Sequence, residues 1–217
     1  MKRAWPWLIP ILIVAGLCWA FPPIHVHSLK AARDDQVGTP IDAKDFVAKF
    51  WQKDLLPATE RATDAATLVK AIAADPKKVH EQFGRTVGMS SSYFLFVRGS
   101  GRVIKTDADS ISLSTKPEGN DAEIVVPLGF VFGNAVRDGT GLLNSSNYPN
   151  AQEFNDLSSQ LNDVVEKQVL PEAQRVATPG KRVKFAGCIE VADEEADLRP
   201  LKLVPIYVKE ESARATP

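Results

Sequence analysis

Residues 88–115, "GMSSSYFLFVRGSGRVIKTDADSISLST", mark the point where the spacing of apolar residues changes. Upstream of Gly84 the apolar positions recur every three or four residues, as on a helix face. From Tyr93 onward they alternate and are rich in aromatic and β-branched types, as in half-buried strands. Two strands are predicted here, with Gly99–Gly101 ("GSG") as a bend or bulge and Asp107–Ser110 ("DADS") as a turn. The switch divides the chain into a helical N-terminal part and a strand-rich C-terminal part.

Working back from it, Phe46, Val47, Phe50, Trp51 and Leu55 fall at helical spacing behind Asp42, a candidate N-cap. Pro57 should bend or interrupt that helix. Leu68, Val69 and Ile72 share one face of a second helix behind Asp64. "DPKKVHEQFG" (75–84) combines an Asp cap, Pro at the first helical position and Gly after the last turn. A small helical subdomain over 42–84 follows.

Working forward, "AEIVVPLGFVFG" (122–133) reads as a third strand bent near Pro127–Gly129. The longest helix falls within 150–174, with Phe154, Leu157, Leu161, Val164 or Val165, and Gln168 spaced for one buried face. "KRVKFAGCIEVA" (181–192) and "PLKLVPIYVKE" (200–210) read as two more strands around the acidic loop "DEEADLR" (193–199). Three strands, one helix and two strands is the element order of an OB-type barrel. The expected fold class is α+β: a helical subdomain, then an OB-like five-stranded β-barrel over 88–209 with one long helix between strands 3 and 4. Residues 210–217 read as a flexible tail.

The chain opens with "MKRAWPWLIPILIVAGLCWAFPP" (1–23), in which Ala4 to Phe21 carry no charge. That run of about 18 residues would make roughly 27 Å of helix, close to the ~30 Å apolar core of a bilayer. Lys2 and Arg3 precede it, which places the following chain outside the cytoplasm, and Trp5, Trp7 and Trp19 suit the interfaces. A small-x-small cleavage site is poorly formed. Cys18 is the residue available for lipidation, but Leu17 rather than a small residue precedes it. The sequence favours a retained signal anchor over 1–24, with lipidation at Cys18 and signal cleavage as alternatives. Residues 25–41 form a polar linker. The expected location is the inner membrane, single-pass through residues 4–21, with the main domain in the periplasm.

The composition is that of an ordinary globular protein, 24% charged and 44% hydrophobic, and the formal net charge is -1. No basic face for nucleic acid is indicated. Cys18 and Cys188 lie in the anchor and in a predicted strand, so no disulfide is expected, and Cys188 reads as a small buried hydrophobe.

The run 46–84, "FVAKFWQKDLLPATERATDAATLVKAIAADPKKVHEQFG", followed by "YFLFVRGSGRVIK" (93–105), resembles the bacterial family known as domain of unknown function 2291, predicted periplasmic lipoproteins. The segment "GNAVRDGTGLLNSSNYPNAQEFNDLSSQLN" (133–162) is similar to the family's Arg-Asp, Gly and Asn-rich stretch leading into a long helix. The resemblance covers roughly residues 26–208. It implies a helical subdomain with a small barrel-like domain, and an association with ribose-type sugar ABC transport systems. The family has no established activity, so no catalytic residue is carried over. The surroundings of Cys18 depart from the family's lipoprotein pattern.

No chemical signature stands out. His25 and His27 in "HVH" share a face of an extended segment, but no third ligand follows at a familiar spacing. His80 reads as a partly exposed helix residue. "MSSSY" (89–93) lacks a nucleophile elbow and a base, and "GSG" and "DGTG" are too short to cradle phosphate. "DADS" lacks the glycine and terminal Glu of a calcium loop. No catalytic residue, metal site or cofactor is assigned, and the protein is expected not to be an enzyme.

The best candidate for contact is "NAVRDGTGLLNSSNYPNAQEF" (134–154), through Arg137, Asp138, Asn144, Asn147, Tyr148 and Asn150. Paired donors and acceptors with an aromatic face suit a hydroxyl-rich ligand or a partner. The same residue types also build turns and caps, with Asn150 placed to cap the long helix. The first expectation is a non-enzymatic, membrane-anchored periplasmic accessory or binding protein, with components of a sugar ABC transporter as its partners. The alternatives are an envelope scaffold that docks a protein through its helices, and an enzyme whose site one sequence does not show. A polar pocket, an apolar patch and a cleft with perturbed titratable groups would respectively support them.

Overall fold

The structure is a computed structural model that describes residues 42–148 and 150–211. The expected anchor and linker, Cys18, His25, His27, Pro149 and residues 212–217 lie outside the described residues. Among the described residues no helix is long and apolar enough to cross a membrane.

Helix α1 (Ala43–Phe50) starts where Asp42 accepts bonds from the backbone N–H of Lys44 and Asp45. It buries Val47 and Phe50 and runs on through a π turn, Trp51–Leu55, which buries Trp51 and Leu55. Pro57 does not break this rod. A proline ring clashes with the carbonyl four residues back in an α-helix, here that of Lys53, which lies in the widened turn. After a two-residue strand β1 (Thr63–Asp64), Asp64 caps α2 (Ala65–Ala74) through the N–H of Thr67. Asp75 then caps the turn leading into α3 (Val79–Phe83), which Gly84 ends.

The helical segment is stitched to the strands that follow. Strands β1 and β2 (Arg85–Thr86) both pair with the long β3 (Tyr93–Thr106), and Val47, Trp51 and Leu68 share one buried cluster with Val97, Val103 and Phe185. β3 runs unbroken through Gly99–Gly101, in register with β6 (Arg182–Val191) from Tyr93 to Arg102, so no bulge falls at GSG. The irregularity falls instead between Val103 and Lys105. Gly99 is needed for close contact: a Cβ there would sit 2.8 Å from that of Ala65 at the start of α2.

Strand β4 (Ser110–Ser114) follows the expected turn, and β5 (Ile124–Pro127) pairs with it. The third strand was expected to run to Gly133 but stops at Pro127. β4 begins at Ser110, the partner of Pro127, and one further bond, from the Leu128 N–H to the Asp109 carbonyl in the turn before β4, closes the pairing. A five-residue helix, α4 (Ala135–Gly139), follows the irregular stretch 128–134.

The long helical rod comprises α5 (Ala151–Val164), a second π turn (Val165–Val169) and α6 (Leu170–Val176). Phe154, Leu157, Leu161 and Val165 are buried as expected, but the next inward residue is Val169, while Gln168 is exposed. The π turn adds a residue and advances the buried face by one position. This turn also ends two residues before a proline, Pro171, as the first ended two residues before Pro57.

After β6 come the short α7 (Glu194–Asp197), β7 (Leu201–Lys202) and β8 (Val204–Glu210). The hydrogen-bonded order is β7-β5-β4-β3-β6-β8. β7 and β8 are successive pieces of one run, so the two ends of this path meet across Leu203 and the mixed sheet curls back on itself. β8 extends to Glu210, and Glu211 accepts bonds from Ser100 Oγ and Arg182 Nε, so the expected tail starts later than residue 210.

Candidate functional site

Arg137 and Asp138 lie on α4, between the sheet and α5. Asn134 sets the turn: its carbonyl accepts from the N–H of Asp138 at 2.8 Å, and its side chain accepts from Ser158 Oγ on α5 at 2.8 Å. Asn162 Nδ2 donates to the carbonyl of Gly133, which also lies 3.1 Å from Ser158 Oγ. Held this way, 135–139 is helical rather than extended, so the two neighbouring side chains can turn toward each other.

They form a fork. Arg137 Nε donates to Asp138 Oδ1 at 2.8 Å and Nη2 donates to Oδ2 at 2.9 Å, and the residues are only 6% and 5% exposed. Arg137 Nη1 donates to the Phe154 carbonyl and to Asn155 Oδ1, and the guanidinium lies 4.0 Å from the Phe154 ring centroid. Arg85 Nε donates to the Asp138 carbonyl from β2. The expected charge-assisted pair therefore exists, and it latches α4 to α5. Its planar geometry suits a desolvated setting, where each lost partner is costly.

The other expected residues do not join it as a group. Asn144 Oδ1 accepts from the N–H of Ser146 and Asn150 Oδ1 from that of Glu153, the local capping roles their types favour. Asn147 is exposed in the intervening turn. Tyr148 packs on Phe154 with ring centroids 5.2 Å apart, and burial raises its hydroxyl pKa. Phe154 thus touches both the Arg137 guanidinium and the Tyr148 ring, while Asn144 and Asn150 serve their own turns.

Glu190 on β6 adds a negative charge near this latch. Its pKa is raised, first by burial and then by the charges of Asp138 and Asp197. His80 stacks on Tyr93 at 4.2 Å, and its Nε2 lies 2.8 Å from Thr86 Oγ1. Burial, followed by Glu194, pushes the Tyr93 hydroxyl up to about 12. Among the described residues no group of three or more His, Cys, Asp or Glu is arranged to hold a metal ion. Cys188 is fully buried, and burial alone raises its thiol pKa, so it stays protonated.

Two features escaped the sequence. The first is a groove of about 560 Å³ between α1 and α5, including both π turns. Val47, Trp51 and Val164 supply its apolar floor, and Gln52, Gln160 and Gln168 supply amides. Lys44, Asp163 and Lys167 add charge, with Lys167 Nζ 2.6 Å from Asp163 Oδ2. The residues of this groove are scattered over 44–168, and only the packing of two helices collects them. The second is the stretch 128–133, where Phe130 and Phe132 are 80% and 81% exposed. Its alternation looked like a strand.

The comparisons fit this architecture. The fold is that of OB-type proteins: a crystal structure of an OB-fold protein from Thermotoga maritima aligns with a TM-score of 0.69 at 20% identity, covering 79% of this chain and 99% of that one. Residues 11–209 match the family described as predicted periplasmic lipoprotein, domain of unknown function 2291. The chain belongs to that family. A search of curated proteins gives no match.

Proposed function

We propose that this periplasmic lipoprotein family member acts by binding rather than by catalysis, as a membrane-held accessory protein of the cell envelope. The observation that carries this is the α1–α5 groove, with an apolar floor around Trp51 and an amide and charged rim. Such a mixture offers paired donors and acceptors beside apolar surface, the requirement of a hydroxyl-rich ligand or an extended polar segment of a partner. The Arg137–Asp138 latch supports the groove from the far side of α5 and does not contact the ligand. In its sharper form, the ligand is a sugar or polyol and the partner a component of a sugar ABC transporter. The resemblance of residues 26–208 and the amide-rich rim support that form.

Ala48 is exposed on α1 and lines the groove, so Ala48→Trp fills it without touching the core. Thermal shift of the full chain in detergent against sugars, polyols and solubilised transporter components is the test. At least one ligand should raise the melting temperature of the wild type and not of Ala48→Trp. Equal shifts in both, or no shift with any of them, would remove the groove from the account.

A further inference from the structure

The stretch between β5 and α4 is held firmly yet presents two large apolar side chains outward. The Leu128 N–H donates to the Asp109 carbonyl at 2.8 Å, and the Val131 N–H donates to Glu166 Oε1 at 2.7 Å. Leu128 and Val131 pack against the core, which leaves Phe130 and Phe132 pointing away, their ring centroids 6.2 Å apart. Gly133, at φ +83°, turns the chain back toward α4. This is a braced aromatic tip, and its cost in exposed apolar surface calls for an occupant.

A second copy is a poor occupant. Two phenylalanines from each of two chains cover roughly 600–1,000 Å² in all, short of the ~1,200–2,000 Å² of stable interfaces. A lipid surface needs neither matching shape nor matched polar groups. Val131 is tied to Glu166 in the second π turn, and α1, the first helix after the undescribed N-terminal chain, packs on α5 in the same rod. Residues 22–41 span at most about 70 Å when drawn out, so a membrane holding the chain's N-terminal end stays close to the domain. Tethering supplies a high effective concentration, under which a contact too small to recruit a free protein still forms.

We infer that Phe130 and Phe132 form a membrane-contact finger that inserts into the interfacial region of the bilayer to which the protein is tethered. The inference rests on the membrane-held reading above, and it adds an orientation: the loop before α4 faces the lipid. The finger acts like a short interfacial anchor, gaining from apolar insertion alone.

The test uses the full chain reconstituted into phosphatidylcholine–phosphatidylglycerol vesicles carrying a diazirine acyl chain. Flotation first establishes whether the chain is held by the membrane. Photolysis and peptide mass spectrometry then locate lipid adducts. Adducts are expected on the peptide containing Phe130 and Phe132, and should fall at least about fivefold in Phe130→Ser/Phe132→Ser. That variant changes only exposed side chains, and its melting should match the wild type. A chain that floats but carries adducts only before residue 42 overturns the finger while leaving the tether intact. Adducts on 128–133 that persist in the double variant overturn it too, as does chain-to-chain cross-linking there without lipid. A chain that fails to float overturns the membrane-held reading, and the finger with it.

Discussion

Replacing Arg137 with Ala separates a buried structural latch from an exposed polar contact. The side chain is only 6% exposed, forks onto a carboxylate that is 5% exposed, bonds to Phe154 O and Asn155 Oδ1, and covers the Phe154 ring. Its removal leaves Asp138 desolvated without its partner, a loss of about 3–5 kcal/mol. At ~2–4 °C per kcal/mol for a protein of this size, the melting temperature should fall by roughly 6–20 °C. Urea titration of the full chain in detergent should show a lower midpoint with an unchanged slope. Arg137→Met/Asp138→Leu, which removes both charges, should be more stable than Arg137→Ala alone.

The charge argument has its own signature. Glu190 already feels Asp138 as a repelling neighbour, behind burial as the first cause of its raised pKa. Without Arg137 the two carboxylates face each other uncompensated. The deficit of Arg137→Ala should therefore narrow as the pH falls toward about 4, where carboxylates take up protons. A deficit below about 1 kcal/mol, the value for an exposed pair, would refute the latch. A large deficit that does not change with pH would assign the cost to lost packing and bonds instead of charge.

Along the long rod, Val169→Ala should cost about 1.5–3 kcal/mol, from two buried methyls and the space they leave. Gln168→Ala should stay within about 0.5 kcal/mol. The reverse order in denaturant titrations would mean that the π turn is absent. Glu123 supplies a pH-dependent term. Burial raises its pKa, but bonds from Thr115 Oγ1 at 2.6 Å and Thr115 N at 2.8 Å, and Lys116 Nζ at 3.0 Å, outweigh it, so the net shift is downward. A depressed carboxylate stabilises the fold above its ordinary pKa of ~4.3 and loses that as pH falls through the folded value. Glu123→Gln should therefore flatten the wild type's loss of stability below about pH 4.5, and equal acid slopes in the two proteins would contradict it.

The sequence by itself determined whatever depends on neighbours three or four residues away. Asp42, Asp64, Asp75 and Asn150 cap the helices they were expected to cap, because each bond closes within three residues. The apolar face from Val47 to Leu55 and the succession of strands, long helix and strands were legible for the same reason. The family was legible too, in the segments 46–84, 93–105 and 133–162. Features that need a distant partner were decided only by the tertiary structure. The third strand ends at Pro127 because β4 begins at its partner Ser110, a limit that no local pattern in "LGFVFG" reveals. The close approach of Ala65 that keeps position 99 a glycine appears only once α2 is placed against β3. Arg137 and Asp138 are adjacent in any conformation, but they pair because Ser158 and Asn162 on α5 hold the preceding turn. The groove joins Lys44 to Gln168 only once α1 has packed on α5. Helix caps and periodicity are local free-energy terms, whereas strand ends, buried ion pairs and clefts are set by which surfaces meet, and the order of residues alone does not specify that meeting.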